Sequence, residues 1–309
     1  MDWTDKKVLV TGGSGFLGSR VVKLLEEKHA HVITPRSSEY DLRLRENCEK
    51  ITKDIDYVFH LAAKVGGIGL NQEKPGELFY DNLIMGVNLM EESRKNNISK
   101  FIALGTICSY PKFTPLPFSE KSIWDGYPEE TNAPYGLAKK MLLVQSQAYR
   151  QQYDFHAIAI FPTNLYGPSD NFDETSSHVI PAIIKKIFDA KKNNQNFISL
   201  WGDGTPTRDF LYVDDAAYGL VLAAEKYDKP DPINLGSGIE ISIRELSEKI
   251  LNLMNSDLEI KWELDKPNGQ PRRCVSIEMA KREIDFKPQI SLDKGLKRTI
   301  DWYESNFSS

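Results

Sequence analysis

Cysteine is scarce: the chain of 309 residues has three, Cys48, Cys108 and Cys274. They are odd in number, widely spaced and form no CxxC, which excludes a disulfide framework and a zinc site of the usual spacing. No apolar run approaches the roughly 20 residues that span a bilayer. No signal-peptide-like apolar stretch precedes the first strand. A dominant charge is also missing: 39 Lys and Arg stand against 44 Asp and Glu, a formal net charge of -5. That balance excludes a broad surface for a phosphate backbone, so neither nucleic acid nor a membrane is expected as a partner. The 16 prolines and 20 glycines are dispersed, which excludes collagen-like and low-complexity classes. These absences leave a cytoplasmic protein of about two domains, with no metal.

What is present is a rhythm. Short apolar runs at Val8-Leu9-Val10, Val32-Ile33-Thr34, Tyr57 to Leu61, Phe101 to Leu104 and His156 to Phe161 read as strands. Helical periods lie between them: Phe16 to Lys28, Glu77 to Lys95 and Pro134 to Gln152. Strand–helix alternation predicts an α/β fold, a Rossmann-type doubly wound parallel sheet. After Phe161 the rhythm breaks. Pro162 to Ser177 reads as a loop, Ile180 to Lys191 as a helix, and Phe197 to Leu200 and Phe210 to Val213 as strands. Turns are expected at Pro230, Asp231 and Pro267 to Pro271. We expect a nucleotide-binding domain over residues 1–165, with a segment near 205–235 returning to it. A smaller α+β substrate domain is expected over 166–309.

Gly12-Gly13-Ser14-Gly15-Phe16-Leu17-Gly18 joins the first strand to the first helix. Gly12 suits the tight turn, Gly15 the approach of a pyrophosphate, and Gly18 close packing of helix on strand. A glycine turn without a ligand is the alternative. No acid ends the second strand, where an NAD enzyme binds the ribose 2′-hydroxyl; Arg36 follows instead and suits a 2′-phosphate. NADP(H) is therefore the expected cofactor, unless Arg36 is only a solvated surface residue. Tyr135 and Lys139 are four residues apart, on one helix face. A lysine there lowers a phenol's pKa and can hold the nicotinamide ribose, while the phenol gives a proton to a carbonyl oxygen. Thr106, at the end of a strand, offers a hydroxyl to the same oxygen. The three resemble the Ser/Thr-Tyr-Lys set of the short-chain dehydrogenase/reductase superfamily.

Longer segments narrow the likeness. Leu104 to Pro111, Asn132 to Lys139, and Pro162 to Pro168 continuing through Ser177-His178-Val179-Ile180-Pro181 resemble the GDP-L-fucose synthase family. So do Trp201 to Asp215, Asn234 to Gly238 and Lys266 to Arg272, and the likeness spans essentially the whole chain. It implies 3,5-epimerisation and NADPH-dependent 4-reduction of a GDP-linked 4-keto-6-deoxyhexose, in a homodimer. It implies that Cys108 is a base and His178 an acid for the carbons flanking the ketone, with Thr106, Tyr135 and Lys139 completing reduction. A thiol near a cation can accept a proton, and the range of histidine suits donation at neutrality. The likeness extends the cofactor set to Ser14, Phe16, Leu17, Ala62, Ala63, Pro162, Asn164 and Leu165. It assigns Asn164, His178, Lys186, Trp201, Arg208 and Arg272 to the substrate.

Departures stand beside it. Ser14 replaces a basic residue that many family members carry, Thr106 replaces the usual serine, and Lys186 replaces a common arginine, losing a bidentate fork. Ile107 and Ser109 flank Cys108 differently from the commonest pattern. Taken alone, Cys108 reads as a small core residue, His178 as a helix cap, and each basic residue as solvated charge. Two other readings stay open. One is another extended short-chain dehydrogenase acting on a nucleotide sugar: a 4-epimerase or 4,6-dehydratase with tightly held NAD, or a GDP-keto-sugar epimerase/reductase for a related GDP-linked deoxyhexose or heptose. The other is a non-catalytic NADP-sensing or RNA-binding relative.

Overall fold

The computed structural model describes residues 2–173, 176–266 and 268–307. Glu174 and Thr175 of the expected loop, and Pro267 of the expected turn, lie outside the described residues. The elements of the first half are β1 (Lys7–Thr11), α1 (Phe16–Glu27), β2 (His31–Ile33), α2 (Arg45–Ile51), β3 (Tyr57–His60), α3 (Ile68–Glu73), α4 (Pro75–Lys95), β4 (Lys100–Leu104), α5 (Ala133–Tyr153) and β5 (Ala157–Pro162). The second half holds β6 (Asn164–Tyr166), α6 (Val179–Lys192), β7 (Phe197–Trp201), β8 (Thr207–Tyr212), α7 (Val213–Lys226), β9 (Ile233–Leu235), β10 (Glu240–Ser242), α8 (Ile243–Leu253), β11 (Glu259–Glu263), β12 (Arg272–Arg273), α9 (Glu278–Ile284) and α10 (Leu292–Phe307).

Six strands form one parallel sheet in the order β2-β1-β3-β4-β5-β9. Its strands are near-continuous apolar runs because helices cover both faces. On α1, Leu17, Val21 and Leu25 fall on one face and are buried with Val8 and Val10 of β1. Fully burying each such side chain contributes about 1.5–3 kcal/mol. The N-termini of α4 and α5 carry proline, which is pre-set for a first helical turn.

A second sheet runs β10-β8-β12, with β6 also pairing β8. β7 and β11 make a separate parallel pair. Ile180, Ile183, Ile184 and Ile187 of α6 pack there with Leu246, Ile250 and Leu296. Helix α8 is closed at its start by a reciprocal cap between Ser242 and Glu245.

The loop expected after Phe161 contains β6, three residues held by pairing with β8 rather than by their own propensity. The segment near 205–235 divides. Thr207–Tyr212 lies in the second sheet, whereas α7 packs on α1 and β9 closes the first sheet.

Candidate active site

β1 pairs β2 on one side and β3 on the other, so the chain reverses direction across the sheet there. Ligands of open parallel sheets bind beyond the carboxyl ends of strands at such a reversal. A cleft of about 1560 Å3 opens at that point and runs to the second sheet.

Its first wall is backbone. Gly12 has φ +71°, and a Cβ there would lie 2.9 Å from the Ala62 nitrogen. A Cβ on Gly18 would sit 2.0 Å from the Gly12 carbonyl oxygen, so no other residue lets α1 approach β1 this closely. A Cβ on Gly15 would meet only the Gly12 oxygen within its own turn, and otherwise fill open cleft. That open face beside the start of α1 is a cradle for a pyrophosphate. Ser14, Phe16, Leu17, Ala62 and Ala63 line the same end, and Pro162, Asn164 and Leu165 line its floor. Arg36 stands exposed on the rim. It has no carboxylate partner among the described residues, whereas nearby Arg43 is held by Asp41 and Asp81.

Lys139 is 1% exposed, and its Nζ has no hydrogen-bond partner among the described residues. Burial pushes its pKa down to about 8. A buried ammonium without an acceptor, opening on a glycine cradle, fits the hydroxyls of a dinucleotide's ribose. The residues present therefore fit the cofactor that the sequence implies.

The reacting wall is built by Thr106, the turn Ile107–Ser109 and the start of α5. Thr106 caps that turn by accepting the Cys108 N–H at 3.3 Å. Its own proton stays free to point elsewhere. Gly136 brings α5 hard against the turn: a Cβ there would lie 2.3 Å from the Cys108 carbonyl oxygen. Ser109 Oγ donates to the Gly136 carbonyl at 2.8 Å and locks the contact. Tyr135, Thr106 and Cys108 are thereby brought together, close enough for both Thr106 and Cys108 to act on the Tyr135 phenol.

Two electrostatic expectations are corrected. Tyr135 is not shifted down by Lys139. Burial, reinforced by Cys108, pushes its phenol up, against a smaller opposing effect of Thr106. The cause is mutual desolvation: Lys139 itself is weakened by burial, and the phenol stays protonated, as a donor. His178 lines the cleft, and burial against its walls pushes it below its ordinary 6.5. The residue itself is exposed at the cleft opening, and the surrounding walls disfavour its imidazolium form in the free protein. Cys48 and Cys274 are buried, with thiols that desolvation pushes up to about 12. Cys108 is the cysteine that lines the cleft.

The far wall comes from the second sheet. Lys186, Trp201 and Arg208 line the cleft. Lys186 Nζ donates to the Ser199 carbonyl at 2.6 Å. Asn164 Nδ2 donates to the Asp209 carbonyl at 2.9 Å, which ties the floor to β8. Arg208 donates to the Thr207 and Gln270 carbonyls, both at 2.7 Å. Burial and neighbouring Arg273 pull its pKa down to about 10, so it stays charged. Arg272 is not in the cleft. It is exposed and paired with Glu240, while Arg273, 8% exposed, lines the cleft instead.

Register explains the exchange. Arg273 pairs Arg208 across β12 and β8, and Arg272 pairs Thr207, so the two arginines of β12 face opposite ways. The sequence reading missed Arg273, Gly136 and Asn132. Asn132 lines the cleft and is fixed by Glu129, which accepts its backbone and side-chain N–H groups. Strand alternation relative to Arg208 was the signal that separates Arg273 from Arg272.

The family profile described as "NAD dependent epimerase/dehydratase family" matches residues 8–236. The chain is 39% identical to the GDP-L-fucose synthase of Sinorhizobium fredii, over 97% of this chain and 96% of that protein. The chain belongs to the GDP-L-fucose synthase family. It is also 32% identical to the GDP-L-colitose synthase of Yersinia pseudotuberculosis, covering 96% of this chain and 97% of that one. A solved GDP-L-fucose synthetase from Naegleria fowleri, bound to NADP, superposes with a TM-score of 0.88 at 27% identity, over 99% and 96% of the two chains.

Two segments of the family likeness interlock structurally. Asp209 accepts from the Ser237 N–H and hydroxyl at 2.9 and 2.6 Å, and from Gly238. Burial nevertheless pushes its carboxyl up to about 6. Asn234, fully buried, accepts from Tyr110 and donates to the Phe118 and Ser276 carbonyls. The Asp209 bonds fix the strand that carries Arg208.

Proposed function

We propose that the protein converts GDP-4-keto-6-deoxy-D-mannose to GDP-L-fucose, by epimerisation at C3 and C5 followed by NADPH-dependent reduction at C4. One observation carries this reading. Cys108 and His178 line the same cleft as Thr106, Tyr135 and Lys139, so a second acid–base pair stands beside a reductase set. A 4-epimerase needs no such pair; a 4,6-dehydratase needs a base and an acid to lose water across C5–C6, but it recycles a tightly held NAD and consumes no NADPH.

The C4 ketone acidifies the protons on C3 and C5. The Cys108 thiolate takes one: an S–H bond forms, the C–H bond breaks, and its electron pair passes to the ketone oxygen as an enolate. Tyr135 and Thr106 stabilise that oxygen by hydrogen bonds. His178, as imidazolium, returns a proton to the opposite face and restores the ketone. The anionic diphosphate, held by Lys186 and Arg208, favours the imidazolium that burial alone disfavours. Because C3 and C5 flank one carbonyl, rotation of the sugar lets the same pair serve both.

NADPH, when bound, supplies the hydride to C4. Gly15 and the start of α1, which Gly12 and Gly18 allow to pack close to β1, would cradle its pyrophosphate, Arg36 would meet the 2′-phosphate, and Lys139 would orient the ribose. Tyr135 then gives its phenolic proton to the C4 oxygen. Asn164 and Trp201 border the sugar.

A homodimer in the cytoplasm completes the proposal. Phe79 and Tyr80 on α4 and Val144 and Tyr153 on α5 leave apolar surface exposed on two helices packed together. The test is NADPH oxidation with GDP-4-keto-6-deoxy-D-mannose. Turnover is expected with NADPH and not with tightly held NAD alone. C4 epimerisation of a nucleotide sugar without added NADPH would overturn the reading.

A further inference from the structure

Arg208 and Arg273 stand side by side in the wall that faces Cys108, and Arg273 is almost fully buried. Two neighbouring cations repel, and burial raises the cost of that repulsion. Among the described residues neither pairs with a carboxylate: their bonds go to the Thr207 and Gln270 carbonyls and to the Gln270 side chain. Glu240 acts on Arg208 from a distance, but it is already taken by Arg272 and Thr207. The partner that remains is the thiol. Arg273 Nη1 lies 3.6 Å from Cys108 Sγ.

We infer that Arg273 is the positioning residue that supplies the counter-ion for the Cys108 thiolate, and that Gln270 fixes it there. Gln270 is built for that task. Its Oε1 accepts from Arg273 Nε at 2.6 Å, its Nε2 donates to the Lys112 carbonyl at 2.9 Å, and its backbone oxygen accepts from Arg208. One buried residue, through its side-chain amide and its backbone carbonyl, thus holds both guanidinium groups against their mutual repulsion. The groups that face the thiol are the cations Arg273 from β12 and Arg208 from β8 and the neutral Tyr135 phenol from α5, with His178 lining the same cleft. The thiolate takes the carbon-bound proton, and the sulfur then leaves the ion pair as a neutral thiol. The inference rests on the reading of Cys108 as the base.

The experiment measures alkylation of Cys108 by iodoacetamide against pH in the whole protein, with the modified residue located by mass spectrometry. Cys48 and Cys274 are too buried to compete. An opposite charge within about 4–6 Å favours the ionised form, so Arg273→Gln is expected to slow alkylation at neutral pH by about tenfold or more. Arg273→Lys keeps the charge and is expected to stay within about threefold of the native rate. Near about pH 10, where a thiol ionises without help, the Gln variant is expected to regain the native rate. A native rate in Arg273→Gln at neutral pH overturns the inference. So does a rate that remains slow near about pH 10, since that means blocked access rather than lost charge. A variant that alkylates normally but raises only the KM for the GDP sugar also overturns it, because that marks a phosphate contact. Alkylation needs no substrate. Failure of native protein to turn over GDP-4-keto-6-deoxy-D-mannose would contradict the proposed function and leave this result to stand separately.

Discussion

On the cofactor side of the cleft the fit of α1 to β1 is backbone on backbone, with Arg36 and Lys139 as its two charged side chains, whereas the wall facing Cys108 is made of side-chain charge. Gly12, Gly15 and Gly18 work by what they lack: a Cβ at Gly18 would lie 2.0 Å from a carbonyl oxygen. Arg208, Arg273 and Gln270 work by what they carry, in positions set by strand register across two short strands. Between the two lies Gly136, where α5 presses on the turn that holds Cys108. Shape therefore governs the hydride half of the chemistry and electrostatics the proton half, with one glycine joining them.

Tyr135→Phe should separate the halves most strongly. NADPH oxidation is expected to fall by about 10²- to 10⁴-fold, the usual worth of a positioned acid. Deuterium exchange at C3 and C5, followed by NMR, should fall less, because Thr106 still bonds the enolate oxygen that Tyr135 also stabilises. If exchange were lost equally, the two halves would not be separable. Gly136→Ala should damage both together. The added Cβ forces α5 off the Cys108 turn, with an expected loss of about 2–4 kcal/mol of stability on denaturant unfolding. An unchanged midpoint would show that the joint is not tight.

Arg36→Ala should touch the cofactor side only. A charge-assisted bond to a 2′-phosphate contributes about 1.5–3 kcal/mol, so the KM for NADPH is expected to rise about tenfold or more. Steady-state kinetics with NADH should not change. The smallest effect is in the pH profile. Burial places the Lys139 pKa near 8, and a lysine is a cation below its pKa and neutral above it. The kcat/KM of reduction, which reports the free protein, is expected to decline as pH rises above about 8. Lys139→Arg should extend the plateau upward.

The same contrast explains what the sequence displayed. A glycine motif between an apolar strand and a helix is local, and the Tyr135–Lys139 spacing is one helical turn; both are visible without a structure. So is the α/β alternation of the first half. β6 was not visible, because three residues become a strand only when β8 lies beside them. Nor was the choice between Arg272 and Arg273, since adjacent strand residues point to opposite faces and a single residue of register decides which enters the cleft. The sense of the Tyr135 shift was equally hidden: spacing shows that a lysine is near, but only the packed wall shows that burial sets the direction.

The central claim is that one cleft runs both proton exchange and reduction. Reaction of GDP-4-keto-6-deoxy-D-mannose with NADPH in D2O tests it, with the product read by NMR. The account predicts GDP-L-fucose carrying deuterium at both C3 and C5, and no exchange at either carbon in Cys108→Ser combined with His178→Gln. A product reduced at C4 without deuterium at C3 and C5, or exchange that survives in the double variant, would contradict it.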